Sequence, residues 1–145
     1  MPKLPLIEEH VTRSEFDTVK LARSFADCLK IGDVLFLSGG LGSGKTVFVK
    51  GLAAGLGINP HDVSSPSFSL INQYKGTQFL LYHADLYRLD KAGALDLGLE
   101  ELGAADGILA IEWPERLAYD LPANVSLEIQ ILDETKRKIT IKRNL

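Results

Sequence analysis

The chain has 145 residues, of which 46% are hydrophobic and 24% are charged, and these values predict one folded domain and argue against intrinsic disorder. Its 16 Lys and Arg residues against 19 Asp and Glu residues give a net charge of −3, which argues against a free-standing nucleic-acid binder. The single cysteine, Cys28, excludes an intramolecular disulfide, and neither a signal peptide nor a long apolar run is visible, so we expect a cytoplasmic protein that does not enter a membrane.

The first predicted element in chain order is a helix that begins after Ser14. A serine followed three residues later by an acid, here Asp17, is typical of a helix N-cap. Apolar residues then recur at helical spacing until Gly32 ends the pattern: Phe16, Val19, Ala22, Phe25, Ala26 and Leu29.

A strand, a glycine-rich loop and a second helix are predicted next. Residues 34–37 form a short apolar run, and residues 39–44 contain a cluster of glycines. Residues 47–56 then show helical spacing, which Gly57 closes. This order of elements is the usual setting of a phosphate-binding loop.

Four further segments are predicted in the middle of the chain. Residues 68–74 and 79–83 favour two antiparallel strands joined by a tight turn. Residues 95–102 favour a helix with a glycine interruption, and residues 108–111 favour a buried strand.

The C-terminal segment predicts a hairpin. Residues 125–132 alternate between apolar and polar side chains, residues 133–135 form a turn, and Ile139 and Ile141 continue the alternation. The predicted fold class is therefore α/β: one P-loop NTPase-like sandwich over residues 1–145. Its central sheet is expected to be mixed, parallel near the glycine loop and antiparallel toward the C-terminal hairpin.

The strongest motif is the sequence GGLGSGKT at residues 39–46, which we call the phosphate loop and which satisfies G-x-x-x-x-G-K-[ST]. Its glycines allow the backbone to wrap around phosphate oxygens with the N–H groups pointing inward. We expect Lys45 to reach the β- and γ-phosphates of ATP and Thr46 to ligate Mg²⁺. The predicted nucleotide-binding residues are Gly40, Leu41, Gly42, Ser43, Gly44, Lys45, Thr46 and Val47.

Nucleotide hydrolysis also needs an acid near the metal, and two acids follow apolar strands. Asp85 ends one strand and Glu112 ends another, at the sheet edge where α/β proteins bind ligands. Position alone does not decide between them. Trp113 either stacks on a nucleotide or partner or packs on the core, and Arg88 is either an arginine finger or the partner of a nearby acid.

Four motifs in order resemble the bacterial TsaE (formerly YjeE) family. They are the phosphate loop, Ser65-Pro66-Ser67-Phe68, the HADLYRL segment at residues 83–89 and the EWPE segment at residues 112–115. The resemblance implies a P-loop ATPase that works with the TsaD–TsaB heterodimer in making threonylcarbamoyladenosine at position 37 of tRNA. In that family the ATP cycle supports turnover of the partner complex, so tRNA is expected to be reached only through that complex.

The resemblance also implies roles for individual residues. By position, Thr46 and Glu112 would hold Mg²⁺, and Asp85 would belong to the catalytic or water-ordering group. The predicted catalytic residues are Lys45, Asp85 and Glu112. The segment containing Ser65 and Ser67 matches a nucleotide-sensitive switch, and Trp113 matches a tryptophan implicated in function.

The chain departs from the family pattern at two places. Gly40 stands where many members have an acid, so any role of that acid is in doubt here. Ser67 stands where the family usually has threonine, and it keeps the hydroxyl but loses the methyl group, so a hydrogen-bonding role survives better than a packing role.

Two other functions use the same loop. A small-molecule or nucleotide kinase is possible chemically, but little chain remains for an acceptor pocket and a lid. A GTP switch is disfavoured because Thr135-Lys136-Arg137-Lys138 ends in lysine instead of the aspartate of a guanine motif.

Overall fold

The computed structural model describes residues 6–66, 71–88, 98–117 and 119–144. Within these ranges the α-helices are α1 (Glu15–Phe25) and α2 (Lys45–Gly55). The strands are β1 (Leu6–Thr12), β2 (Val34–Ser38), β3 (Ile71–Lys75), β4 (Leu80–Asp85), β5 (Gly107–Glu112), β6 (Val125–Ile131) and β7 (Arg137–Arg143). No helix among the described residues has the length and apolar character needed to cross a bilayer.

The strands form a single seven-stranded sheet in the order β1-β7-β6-β2-β5-β4-β3. The central pairs β6–β2, β2–β5 and β5–β4 are parallel. The outer pairs β1–β7, β7–β6 and β4–β3 are antiparallel. The prediction of a mixed sheet in one α/β domain is therefore confirmed, and the carboxyl ends of β2, β4 and β5 meet at one edge.

The main core lies between the sheet and the two helices. Leu35 and Leu37 of β2 pack there with Phe48 and Leu52 of α2, and all four side chains are fully buried. Gly51 allows the helices to pack closely, because a Cβ atom at this position would lie 2.5 Å from the Val19 carbonyl oxygen. This packing fixes the start of α2 against the end of β2.

The first helix is shorter than its apolar spacing predicts. Ser14 caps it as expected, since its hydroxyl accepts a hydrogen bond from the Asp17 N–H at 3.0 Å. However, α1 ends at Phe25 and a 3-10 turn follows at Ala26–Cys28. The buried face of α1 contains Thr18, Ala22 and Phe25, whereas Phe16 is 74% exposed. The hydroxyl groups of Thr18 and Thr12 are joined by a hydrogen bond of 2.8 Å.

The structure also differs from the predicted elements at two other places. The strand β1 was not predicted: its apolar side chains at Leu6, Ile7 and Val11 are exposed, so no buried alternation marks it. Of the helix predicted at residues 95–102, the structure describes only residues 98–102, which contain a 3-10 turn at Leu99–Glu101 instead. The beginning of the strand predicted at residues 68–74 lies outside the described residues.

Candidate functional site

The phosphate loop connects β2 to α2, as the sequence predicts. Gly42 and Gly44 have φ angles of 72° and 107°, which favour glycine over residues with a side chain. No side chain caps the start of α2, where Gly44 is the N-cap residue. The first turn of the helix can therefore offer its N–H groups to an anion that lies in the loop.

The ammonium group of Lys45 is turned onto its own loop. Its Nζ atom donates to the carbonyl oxygens of Gly39 at 2.6 Å and Gly40 at 2.9 Å, and the residue is only 5% exposed. Burial lowers the pKa of Lys45, while the carboxylates of Glu112 and Asp85 act in the opposite direction. The site thus holds a cation beside two acids.

Glu112 links the phosphate loop to the strands. Its Oε2 atom accepts a hydrogen bond from the Thr46 hydroxyl at 3.1 Å and lies 2.5 Å from Nε2 of His83. Glu112 is 3% exposed and His83 is fully buried. These two contacts fix the direction of a buried carboxylate beside the Thr46 hydroxyl.

Asp85 lies on the neighbouring strand, paired in register with Glu112. Its Oδ2 atom accepts a hydrogen bond from the Ser65 hydroxyl at 2.9 Å, and its Oδ1 atom accepts one from the Tyr87 N–H at 3.0 Å. Asp85 is half-buried and Ser65 is exposed. The acid predicted to act in hydrolysis is therefore held directly by the segment predicted to be nucleotide-sensitive.

Trp113 forms one wall of the site. Its backbone has a φ of 60°, which makes it the one residue other than glycine with a positive φ in the described ranges. Its ring lies 4.3 Å from the Nζ atom of Lys45 and 4.9 Å from the ring of Tyr87. The indole therefore packs on both the phosphate-loop lysine and Tyr87, in the segment that follows β4.

These groups surround a cleft of about 500 Å³. Most of the predicted site residues line it, namely Leu41, Gly42, Ser43, Gly44, Lys45, Thr46, Val47, Ser65, Asp85, Arg88, Glu112 and Trp113. Gly40 is not among the lining residues, and Ser67 lies outside the described part of the chain. Arg88 is exposed and forms no ion pair with a described residue.

A second cleft of about 290 Å³ lies on the other side of the phosphate loop. It is bordered by Ser14 and Thr18 at the start of α1, by the loop, and by Glu134 and Thr135 in the β6–β7 turn. The loop is therefore open to a ligand on both sides.

The donor set fits a magnesium nucleotide. The hydroxyl oxygen of Ser43 is buried inside the loop and has no hydrogen-bond partner among the described residues. A buried unpaired hydroxyl costs free energy unless a ligand satisfies it, so it suits a phosphate oxygen. Thr46 follows Lys45 directly in the chain. Its hydroxyl and the Glu112 carboxylate provide the oxygen ligands that Mg²⁺ prefers.

Two contacts of the site were not predicted from the sequence. His83 orients Glu112, and Tyr87 supports Trp113. His83 precedes Asp85 by two positions on the same strand, so alternation places both side chains on one face. That spacing is the signal that could have identified His83.

Comparisons with known proteins agree with this architecture. A family model described as Threonylcarbamoyl adenosine biosynthesis protein TsaE matches residues 12–142. The tRNA threonylcarbamoyladenosine biosynthesis protein TsaE of Aquifex aeolicus is 46% identical over 141 residues, which are 97% of this chain and 99% of that protein. The Bacillus subtilis protein of the same name is 39% identical over 125 residues, covering 86% of this chain and 78% of that protein. The crystal structure of Bacillus subtilis YdiB matches with a TM-score of 0.79 and 32% identity, covering 99% of this chain and 89% of that chain.

Proposed function

The chain belongs to the TsaE family of threonylcarbamoyl adenosine biosynthesis proteins, and we propose that it serves this pathway by binding and slowly hydrolysing ATP. One observation carries the proposal. The phosphate-loop lysine, the Thr46 hydroxyl and the Glu112 carboxylate meet at one end of the sheet, beside a cleft that Asp85 also lines. This is the arrangement of charge that a magnesium nucleotide requires.

Nucleotide binding is assigned to the phosphate loop. Its N–H groups and the start of α2 bind the phosphates, and the Lys45 ammonium moves from the carbonyl oxygens of Gly39 and Gly40 to the phosphate oxygens. Lys45 is already desolvated in its present position, so this exchange of acceptors costs little further desolvation. The cleft bordered by Ser14 and Thr18 is open to the nucleoside part.

Magnesium is assigned to Thr46 and Glu112. When bound, the ion neutralises negative charge on the phosphate oxygens and so favours displacement at the γ-phosphate. His83 keeps the carboxylate of Glu112 turned toward Thr46, which prepares the ligand pair before metal and nucleotide arrive.

Hydrolysis is assigned to Asp85 with Lys45. The Asp85 carboxylate can orient an attacking water, and the Lys45 ammonium stabilises charge on the phosphates. Among the described residues, Arg88 is the one arginine that lines this cleft, and its side chain is exposed instead of being held against the phosphate loop. Without an inserted arginine we expect a low basal rate, which a partner protein could raise.

The proposed partners are the TsaD and TsaB proteins, with tRNA reached only through that complex. Ser65 is exposed and bonds to Asp85, so a change at the γ-phosphate can be transmitted from the acid to the protein surface. The remainder of the segment, Ser67 and Phe68, lies outside the described residues. Partner binding is therefore expected to depend on the nucleotide.

The test is phosphate release from ATP by the chain alone and with TsaD and TsaB. We expect slow release alone and a clear increase with the pair, together with recovery of both proteins in a pull-down that responds to ATP. A high basal rate that the pair does not change would contradict the proposal. Transfer of the phosphate to a metabolite instead of water would establish a kinase.

A further inference from the structure

An arginine from the C-terminal hairpin lies against the outer side of the phosphate loop. Arg137 is the first residue of β7, and its Nε atom donates to the Ser43 carbonyl oxygen at 2.9 Å. One terminal nitrogen, Nη2, is 3.4 Å from the Gly42 carbonyl oxygen. The other, Nη1, donates to the carbonyl oxygens of Asp133 at 2.9 Å and Lys136 at 3.0 Å. One guanidinium therefore joins the β6–β7 turn to the loop.

Close neighbours surround the phosphate loop at Gly39 and at the buried Ser43, but not at its other glycines. A Cβ atom added at Gly40, Gly42 or Gly44 would meet no atom within 4 Å. Glycine also carries the largest conformational entropy of any residue, so an unsupported loop of this composition samples many shapes. The carbonyl oxygens of the loop accept hydrogen bonds from Lys45 at Gly39 and Gly40, and from Arg137 at Gly42 and Ser43. The Ser43 N–H also donates to the Gly40 carbonyl oxygen at 3.2 Å.

A bound nucleotide would have different effects on the loop contacts of Lys45 and of Arg137. Lys45 must leave its carbonyl oxygens to reach the phosphates, so its hold on the loop ends when the site fills. Arg137 donates to carbonyl groups of the peptide units whose N–H groups belong to Ser43 and Gly44. Donation to a carbonyl oxygen polarises its peptide unit and makes the N–H a stronger donor.

We propose that Arg137 is a positioning residue for the nucleotide: it holds the phosphate loop in its binding shape and strengthens the N–H groups that meet the phosphates. This inference rests on the proposed nucleotide site. Arginine suits the task because its planar group donates in several fixed directions at once, which a lysine ammonium on a flexible stem does not reproduce.

The test compares Arg137→Ala and Arg137→Lys with Lys142→Ala. Lys142 lies on the same strand and is exposed, so its replacement removes the same charge from the hairpin without touching the loop. Amide hydrogen exchange is measured by NMR in the nucleotide-free protein, and ADP binding is measured by calorimetry. In Arg137→Ala we expect faster exchange confined to the Ser43 N–H, which donates to the Gly40 carbonyl oxygen at 3.2 Å, and about tenfold weaker ADP binding. Arg137→Lys should lie between the alanine variant and wild type.

Steady-state kinetics adds a separate readout. The KM for ATP is expected to rise about tenfold in Arg137→Ala while kcat stays within about twofold, because the guanidinium does not touch the reacting atoms. Loop exchange at the wild-type rate, or ADP affinity equal to that of Lys142→Ala, would overturn the inference. Loss of protection spread equally over Ile129 and Ile139 would also overturn it, since Arg137 would then support the fold in general.

The experiment distinguishes failure of the proposed nucleotide site from failure of the inference about Arg137. If wild-type protein binds no ADP, the nucleotide site is wrong, whereas the exchange data still decide whether Arg137 orders the loop.

Discussion

The Thr46 hydroxyl donates to the Glu112 carboxylate at 3.1 Å, although the two residues are separated by 66 positions in the chain. Thr46 lies in the first turn of α2, and Glu112 ends β5. His83 contacts the same carboxylate oxygen from β4. Parallel pairing of β2, β5 and β4 brings the three side chains together, so the proposed metal ligands are in place before a ligand binds.

The Thr46 hydroxyl can be tested by two substitutions. Thr46→Ala removes a proposed metal ligand but leaves the loop N–H groups and Lys45, so we expect ATP affinity to be largely spared. Mg²⁺-dependent hydrolysis should fall by at least about tenfold. Thr46→Ser keeps the hydroxyl and serves as the control, with hydrolysis close to wild type. Wild-type hydrolysis by Thr46→Ala would exclude the threonine as a ligand.

Substitutions of Glu112 and Asp85 should impair hydrolysis in different ways. Glu112→Gln weakens a metal ligand, so hydrolysis should fall and the Mg²⁺ concentration for half-maximal activity should rise. Asp85→Asn should slow hydrolysis through the position of the water, with a smaller effect on the Mg²⁺ requirement. Phosphate release is measured across a Mg²⁺ titration for both variants. Identical Mg²⁺ curves for wild type and Glu112→Gln would contradict this division of roles.

Ser65 should connect the nucleotide to the partner surface. We expect TsaD–TsaB affinity to differ about tenfold between the ATP-analogue and ADP forms, which corresponds to about 1.4 kcal/mol. Ser65→Ala removes the hydrogen bond to Asp85 and should reduce that difference. Ser64→Ala is the matched control, because the hydrogen bonds described for Ser64 use its backbone. Equal affinities for both nucleotide forms of the wild type would show that the segment does not respond.

The β6–β7 turn should weaken in acid. Backbone N–H groups of Thr135 and Lys136 donate to the Asp133 carboxylate and lower its pKa. Because the folded pKa lies below the unfolded value of about 3.9, this stabilisation is complete above that value and is lost as the pH falls through the folded pKa. The free energy of unfolding is measured by denaturant at pH values above and below this range.

Asp133→Asn should show a smaller acid-induced loss than wild type. Asp27→Asn is the control, because Asp27 is exposed and the structure gives its side chain no hydrogen bond. An acid dependence of Asp133→Asn equal to that of wild type would show that the turn carboxylate does not contribute.

Elements with their own local signal could be predicted from the sequence. The phosphate loop, the helix after it and the C-terminal hairpin each carry a motif or an alternation, and each was found where expected. Strand β1 lacked such a signal, because it gains its stability by pairing with β7 and leaves its apolar side chains exposed.

The site could be predicted only in part, because several of its contacts join segments that are distant in the chain. The motifs placed Lys45, Thr46 and two acids at one edge of the sheet, but contacts between distant segments have no local pattern. His83 reaches Glu112 across a strand pair, and Arg137 reaches Ser43 from the last hairpin. The left-handed backbone of Trp113 likewise depends on its surroundings, since an aromatic residue has no preference for it.

The most direct test of the account is a calorimetric titration of Mg-ATP into wild type, Lys45→Ala and Lys50→Ala. Lys50 lies on the same helix as Lys45 but does not line the cleft, so it is the matched control. We expect ATP to bind wild type and Lys50→Ala alike, and to bind Lys45→Ala at least about 100-fold more weakly, because the buried ammonium is lost. Wild-type affinity in Lys45→Ala, or tighter binding of GTP than of ATP by the wild type, would contradict the account.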